Sequence, residues 1–225
     1  MLRIHGLMRL AAVATVLAWV APASAQTIID DWRSIQAPPA PALKAVTVDH
    51  KTTALLVMDL IKQTCNDQNR PRCVASIPRI ATLLAAARAS GATIIYTIVP
   101  GLGPNLPAPV AADIVPGIAP KGDEPVMTSG IDKFIVGDKD TGLEKMLKDK
   151  GITSVILVGT AVHGAVLFTA SAAATRGFNV IVPVDGMSAI GPIPYTEQAV
   201  AYILSSAPVI APKITLTRID MIKFQ

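Results

Sequence analysis

The feature that most constrains the fold of this chain is a set of apolar or β-branched runs that are separated by stretches of helical character. The runs lie at residues 54–58, 93–97, 155–158, 179–184 and 214–217. Apolar residues between the runs recur at helical spacing, which predicts helices over 77–90, 143–150, 166–175 and 197–205. Strands without polar alternation, separated by helices, are typical of a parallel sheet covered on both faces. The sequence therefore predicts an α/β fold, a doubly wound parallel sheet with helices on both faces.

The first 25 residues have the pattern of a secretory signal peptide. Arg3 and Arg9 supply the positive start, and the apolar stretch 10–23 leads into the small-residue cleavage pattern Ala23-Ser24-Ala25. This stretch is too short to span a bilayer. We therefore expect a signal peptide at 1–25 that is removed by cleavage after Ala25, a periplasmic or secreted location, and no membrane attachment of the mature chain.

The mature chain is expected to consist of an arm and one domain. The segment Ala37-Pro38-Pro39-Ala40-Pro41 is too rich in proline for a helix or a central strand. We therefore predict an extended Pro-rich arm over residues 26–48 and a single domain over 49–225.

Charge and composition bear on the partners of the protein. Loss of residues 1–25 removes Arg3 and Arg9 from 20 basic residues and none of the 16 acidic ones, which leaves a net charge of +2. This balance, without a run of Lys or Arg, does not indicate nucleic-acid binding. The low content of charged residues, 16%, and the 51% of hydrophobic residues suggest a homo-oligomer.

Two cysteines lie close together in a chain that is expected to be exported. In an oxidising compartment Cys65 and Cys73 can close a disulfide across the polar loop 66–72, and we predict that bridge. Two free thiols are the alternative. A zinc site is disfavoured, because His50 and His163 are the only histidines of the mature chain.

In a doubly wound sheet, the functional site lies outside the carboxyl ends of the strands. This rule predicts one crevice, formed by Asp59, 97–101, 128–133, 159–165 and Asp185. Neither glycine-containing turn, at 101–103 or at 159–164, completes a dinucleotide or phosphate-binding fingerprint. We expect no cofactor.

Several of these segments together resemble the isochorismatase-like hydrolase superfamily. The resemblance lies in Leu55-Leu56-Val57-Met58-Asp59, Tyr96-Thr97, Gly159-Thr160-Ala161-Val162-His163-Gly164 before Thr169-Ala170, and Val182-Pro183-Val184-Asp185. It runs from about residue 52 to the C-terminus and implies a Rossmann-type three-layer sandwich. It also implies an Asp, a Lys and a nucleophilic Cys, with which many members hydrolyse amides.

The chain departs from that pattern at two of the three positions. The family lysine falls on Thr128 and the family cysteine on Ala165, and alanine offers no nucleophile. The resemblance then points to the isochorismatases proper, which lack the cysteine and carry a histidine where this chain has His163. These enzymes hydrolyse a vinyl ether, the Asp handling protons while water attacks.

Asp59, Lys133 and His163 are the candidate catalytic residues. Asp59 ends an apolar strand, where desolvation raises a carboxyl pKa toward values useful for proton transfer; the alternative is a helix cap or a turn residue. Lys133 either places an ammonium in the space of the missing family lysine or is a solvated surface lysine. His163 either donates to a substrate anion or caps the following helix.

The candidate substrate-binding residues are Tyr96, Thr128, Ser129, Thr160, Gly164 and Ala165. The free amides at the start of the helix, those of Gly164 and Ala165, are expected to hold a carboxylate or oxyanion, next to a cis peptide bond at Ala161-Val162 that the resemblance implies. A nucleophilic pair of Ser129 and Lys133 is a weaker alternative.

The resemblance also bears on metal binding. The metal site of nicotinamidase-like relatives needs an Asp and two His in the loop after the second strand. The corresponding loop here, 100–121, has no His and only Asp113. We therefore expect no bound metal.

The sequence thus supports two functions. The first is an exported hydrolase of a small carboxylate-bearing substrate, which cleaves an ether, ester or amide bond by Asp59 acid/base chemistry with water as the nucleophile. The second is a catalytically silent relative that binds a small molecule or serves as an assembly module. A crevice plugged by Met127, Phe134 or the arm would favour the second.

Overall fold

The computed structural model describes residues 27–191 and 194–225, so the predicted signal peptide at 1–25 lies outside the described residues. The described residues 27–37 belong to one compact unit, and Pro38–Gln225 belong to a second. In the first unit, the helix α1 (Ile28–Asp31) begins with a capping box, in which Asp30 accepts a hydrogen bond from the Thr27 amide. All further elements belong to the second unit.

The second unit alternates strands with helices, as the sequence predicts. The strands are β1 (Val46–Val48), β2 (Thr53–Met58), β3 (Thr93–Ile98), β4 (Val126–Thr128), β5 (Ile135–Val136), β6 (Lys139–Asp140), β7 (Ser154–Thr160), β8 (Asn179–Pro183), β9 (Met187–Ser188), β10 (Ile214–Thr217) and β11 (Ile222–Phe224). The helices are α2 (Pro71–Ser90), α3 (Leu143–Asp149), α4 (Leu167–Thr175) and α5 (Tyr195–Ser206). A single π-helical turn, Val162–Val166, precedes α4.

The main sheet is parallel, with the strand order β10-β8-β7-β2-β3-β4, and β9 pairs with the end of β7. The chain winds outward through β3 and β4 on one side of β2 and through β8 and β10 on the other side of β7. The neighbouring strands β2 and β7 therefore flank the point where the winding direction changes. Ligands bind at such points in α/β sheets.

Side chains of the central strand alternate between two hydrophobic cores because successive residues of a strand point to opposite faces. Leu55 and Val57 join the core that includes Leu84 of α2. Leu56 and Met58 join the core that includes Leu147 of α3. The sheet is thus covered on both faces, and the predicted fold class is confirmed.

Gly159 allows β2 and β7 to approach each other closely at the switch point. Its φ is +149°, and a Cβ at this position would lie 2.2 Å from the carbonyl oxygen of Met58. Only glycine fits, because any side chain would meet backbone that cannot move aside.

The segment expected to be an extended arm contains regular structure. Residues 28–31 are helical, and β1 (46–48) pairs in parallel with β11 in a separate two-stranded sheet. Val48 is buried in the core on the α2 side, so the Val-Thr-Val alternation anchors this strand.

The predicted disulfide is confirmed. Cys65, in the loop after β2, is joined to Cys73, in the first turn of α2 eight positions later, and both are buried. The bridge closes the polar loop that connects β2 to α2. Separately, none of the helices in the described part of the chain is long and apolar enough to cross a membrane.

Candidate active site

A crevice of about 380 Å³ opens at the carboxyl ends of β2 and β7. Its floor and walls combine polar groups with apolar side chains. It is lined by Asp59, Thr64, Arg70, Val99, Gly101, Leu102, Ile131, Thr160, Ala161, His163, Gly164, Ala165 and Phe168. The segments after β2, β3 and β7 thus converge here as the sequence predicts.

Asp59 directly follows β2 and projects into this crevice. Its backbone takes the left-handed conformation, φ +55°, which aspartate tolerates better than most residues. The Asp59 amide donates to the carbonyl of Thr97 at 3.0 Å, and the Thr97 hydroxyl donates to Asp59 Oδ1 at 3.2 Å. Only 5% of the residue is exposed. The end of β3 therefore fixes both the backbone and one carboxylate oxygen.

Lys133 contacts the second oxygen of the same carboxylate. Its Nζ lies 2.6 Å from Asp59 Oδ2 and also donates to the carbonyl oxygen of Gly130 at 2.6 Å. The lysine is completely buried, so it is not a solvated surface residue. It does not line the crevice itself and reaches it through Asp59.

A tight turn after β4 brings Lys133 to this position. The Gly130 amide donates to the Ile135 carbonyl at 2.7 Å, and a Cβ on Gly130 would lie 2.8 Å from that oxygen. The Lys133 amide donates to the hydroxyl oxygen of Thr169 on α4 at 3.2 Å. The lysine backbone is thus held by its own turn and by α4.

Burial and pairing act in opposite directions on these two groups. Burial raises the pKa of the Asp59 carboxyl above its ordinary value, whereas the Lys133 ammonium and the Thr97 hydroxyl oppose the rise. Burial lowers the pKa of Lys133, and the Asp59 carboxylate opposes the fall. A carboxyl with this balance is suited to exchange a proton during a reaction.

The segment after β7 also lines the crevice. Thr160 is buried and lines the crevice. Its hydroxyl donates to the carbonyl of Ser188 in β9 at 3.1 Å, so the side chain is bonded to the sheet. The cis peptide bond expected at Ala161-Val162 lies one bond earlier, at Thr160-Ala161. The Gly164 amide, expected to be free for an anion, donates to the Ala161 carbonyl at 3.0 Å, and the Val166 amide donates to the same carbonyl at 3.3 Å, which closes the π-helical turn.

Ala165 and His163 lie in the same turn with different exposure. Ala165, at the position of the family cysteine, is 4% exposed and lines the crevice. His163 also lines the crevice, and it is exposed, so it sits at the entrance where solvent reaches it.

Tyr96 does not line the crevice, contrary to the prediction. Its ring lies on the α2 face of the sheet, where the hydroxyl donates to the Ile118 carbonyl at 2.9 Å and accepts from Arg88 at 3.0 Å. Burial raises the pKa of Tyr96 to about 12. Because neighbouring strand residues point to opposite faces, the next residue, Thr97, contacts Asp59 instead.

Thr128 and Ser129 are also absent from the crevice wall. Thr128 is exposed at the end of β4, an edge strand. Ser129 is fully buried, and its Oγ has no hydrogen-bond partner among the described residues. The Lys133 ammonium bonds to Asp59 and Gly130 rather than to Ser129, so the geometry disfavours a serine–lysine nucleophile.

Asp185, expected at the crevice, lies elsewhere. It accepts a hydrogen bond from the Ile219 amide at 2.9 Å and contacts Arg79 at 3.3 Å. It therefore braces the segment after β10. Within residues 27–191 and 194–225, no three His, Cys, Asp or Glu side chains form a group able to hold a metal ion.

Arg70 is a crevice residue that the sequence analysis missed. It immediately precedes α2 and lies inside the loop closed by the disulfide. The guanidinium Nη1 donates to the Thr64 carbonyl at 2.8 Å. Its place shortly after Asp59, past the carboxyl end of β2, was the available signal.

Comparison with known sequences finds two similarities. The family model described as Isochorismatase domain matches residues 53–211. A secreted isochorismatase effector of Verticillium dahliae is 34% identical over 117 residues, which make up 50% of this chain and 60% of that protein. The match therefore spans less than two thirds of the length of this relative.

Comparison with solved structures supports the fold. An isochorismatase family protein from Desulfovibrio vulgaris has a TM-score of 0.65 at 21% identity, covering 75% of this chain and 95% of that chain. The N-carbamoylsarcosine amidase from Thermoplasma acidophilum has a TM-score of 0.60 at 20% identity, covering 75% of this chain and 97% of that chain. The two neighbours share the three-layer α/β architecture described above.

Proposed function

Because the chain belongs to the isochorismatase family, we propose that it is an exported hydrolase of a small carboxylate-bearing substrate, with Asp59 as the acid/base and water as the nucleophile. The observation that carries the proposal is the buried Asp59–Lys133 pair at the crevice, with its 2.6 Å contact. The bond cleaved is an ether, ester or amide, and no covalent intermediate with the protein is formed.

Asp59 moves the proton in this reaction. The carboxylate takes a proton from the attacking water as the water oxygen bonds to the substrate carbon, and the same proton goes to the leaving oxygen or nitrogen as its bond to that carbon breaks. In a vinyl ether, the protonated Asp59 carboxyl first gives its proton to the terminal alkene carbon. Water then adds to the oxocarbenium ion and returns a proton to Asp59, and the resulting hemiketal collapses to a ketone as its C–O bond breaks and its hydroxyl proton goes to the leaving oxygen. Proton transfer by a positioned side chain contributes about 10²–10⁴-fold to a rate.

Lys133 acts as a positioning residue. Its ammonium holds Oδ2 of Asp59 in place and opposes the rise in the pKa of the Asp59 carboxyl that burial causes. It fills the role of the family lysine from a position five residues later than Thr128, because the turn at Gly130 directs it inward. Water is the nucleophile because Ala165 offers none.

Thr160, His163, Gly164 and Ala165 form the substrate-binding wall in this proposal. The exposed His163 at the entrance is placed to donate to a polar group of the substrate that points toward solvent. His163 thus assists binding or proton transfer from the entrance of the crevice.

Export is part of the proposal. The signal pattern at 1–25, the Cys65–Cys73 disulfide, and the secreted relative from Verticillium dahliae all support it. The disulfide is the strongest of these, since bridges persist mainly in oxidising compartments.

A silent binding protein is the second candidate, because the family lysine and cysteine positions hold Thr128 and Ala165. The feature that would favour it, a plugged crevice, is not found among the described residues that line the crevice. The ring of Phe134 instead packs against the ring of Phe178, with 6.2 Å between the ring centroids, and Met127 packs on the core. The open crevice favours the hydrolase.

Turnover of a defined panel tests the proposal. Isochorismate is the first substrate, since the secreted relative is described as an isochorismatase effector, and pyruvate release is the readout; small carboxylate esters and amides follow. Asp59→Asn is expected to abolish turnover with the fold intact, whereas Asp185→Asn, outside the crevice, retains it. Unchanged activity of Asp59→Asn would remove Asp59 from the mechanism.

A further inference from the structure

We infer that Arg70 is the residue that recognises the anionic group of the ligand, and that the disulfide-closed loop holds it in place for this task. The inference rests on the proposed function in one respect, since it assigns a residue to the carboxylate of the proposed substrate. Ligand binding can be measured without turnover, so a failure of this inference can be distinguished from a failure of the proposed function.

The charges around the crevice do not cancel. Asp59 is balanced by Lys133 at 2.6 Å, and its other oxygen is bonded to Thr97. Arg70 lines the same crevice, and no carboxylate among the described residues pairs with it. A second cation beside a neutralised pair leaves the crevice positive, which favours an anionic ligand.

The guanidinium of Arg70 has hydrogen-bond donors that the protein does not use. A guanidinium has five N–H donors in a planar fork. Nη1 uses one of them on the Thr64 carbonyl, Nε is buried without a partner, and Nη2 donates to no group within the described residues, so Nη2 is the nitrogen left for a ligand. Burial lowers the pKa of Arg70, and the nearby Asp59 carboxylate opposes this effect. A partly buried, unpaired guanidinium is stabilised most by a carboxylate that can accept two parallel hydrogen bonds.

The remaining wall of the crevice is apolar. Val99, Leu102, Ile131 and Phe168 line the crevice beside these polar groups. Ile131 and Phe168 are 60% and 53% exposed, an arrangement suited to covering an apolar ligand body. The chemical class that fits is a small carboxylic acid with an apolar carbon skeleton.

The disulfide-closed loop fixes the position of Arg70. Its amide donates to the Asn66 carbonyl at 2.8 Å, and its carbonyl accepts from the Cys73 amide at 2.9 Å. Thr64, which holds the guanidinium, in turn donates its hydroxyl to the Asp59 carbonyl at 3.2 Å. The bridge from Cys65 to Cys73 closes the segment that carries the arginine, and Thr64, its support, is the residue directly before Cys65.

Binding of benzoate and benzamide to the oxidised full-length mature protein tests the inference. The two probes have the same ring and differ in charge. We expect the wild type to prefer benzoate, and Arg70→Gln to lose about tenfold or more in benzoate affinity with little change for benzamide. Arg70→Lys, which keeps the charge without the fork, is expected to fall between them.

Arg79→Gln is the matched control. Arg79 is also on the α2 segment, is 65% exposed and contacts Asp185 away from the crevice, so its loss removes the same charge without affecting benzoate binding. Equal benzoate affinity of Arg70→Gln and wild type would overturn the inference. So would a wild type that shows no preference for benzoate over benzamide.

Reduction of the disulfide tests the positioning role. Reduced wild type is expected to bind benzoate several-fold more weakly, while reduction of Arg70→Gln causes no further loss, because the two changes act through one interaction. Circular dichroism establishes that the reduced protein remains folded. Unchanged affinity on reduction would refute the role of the loop. If Arg70-dependent binding is observed but no substrate is hydrolysed, the proposed function fails and this inference stands.

Discussion

Lys133 Nζ lies 2.6 Å from Asp59 Oδ2 although the two residues are 74 positions apart in the sequence. Both side chains are almost completely excluded from solvent, at 0% and 7% exposure. Each therefore depends on the other for compensation of its charge, since a buried charge without a partner is strongly unfavourable.

Replacement of Lys133 by Met is expected to lower the free energy of unfolding by about 3 kcal/mol at neutral pH, because it leaves the Asp59 carboxylate buried and unpaired. Lys133 opposes the rise in the Asp59 pKa, so its loss raises the native pKa further above the unfolded value of 3.8. Between these two pKa values the native state binds more protons, and stability falls as pH rises. Urea unfolding near pH 4 and pH 8 measures the effect.

The deficit of Lys133→Met should therefore be smaller near pH 4 than near pH 8. Lys145→Met is the control, since Lys145 pairs with Asp149 at the surface, and it should leave the unfolding midpoint unchanged. A deficit of equal size at both pH values would contradict the assignment to Asp59.

Gly159→Ala is expected to destabilise the protein strongly. The positive φ alone costs roughly 1–3 kcal/mol for a side-chain-bearing residue, and the new Cβ would meet the Met58 carbonyl, 2.2 Å away in the present structure. Thermal unfolding measures the loss. Gly101→Ala, where the added Cβ has no neighbour within 4 Å, serves as the control and should change stability by less than about 0.5 kcal/mol. Equal midpoints for the two variants would contradict close packing at the switch point.

Reduction of the Cys65–Cys73 bridge is expected to lower the free energy of unfolding by about 2–3 kcal/mol, the chain-entropy value for a short loop. Denaturation with and without reductant measures the difference. The double variant Cys65→Ser/Cys73→Ser should be insensitive to reductant. Two free thiols in the unreduced protein, seen by mass spectrometry, would refute the bridge.

Ala165→Cys is expected to place a reactive thiol in the crevice. The two native cysteines are joined to each other, so the new thiol is the one that iodoacetamide can modify in the folded protein. Ala170→Cys, completely buried on α4, should react only on unfolding. Equal protection of the two thiols would show that position 165 is closed to small molecules.

The apolar runs and their helical spacers determined the layer order, the parallel sheet and the place of Asp59 at a strand end. These features follow from local periodicity, which reports the burial of each segment without knowledge of its neighbours. The disulfide could also be predicted from the sequence, since a short polar loop between two cysteines closes with little rearrangement.

Tertiary structure alone decided which side chains meet. The inward direction of Lys133 depends on the turn from Gly130 to Ile135 and on α4, and the exclusion of Tyr96 depends on which face of β3 turns toward the crevice. Arg70 enters the site because the bridged loop folds back over Asp59. Such contacts join residues that are distant in sequence or on opposite faces of one strand, and the sequence pattern carries no information on the geometry that brings them together.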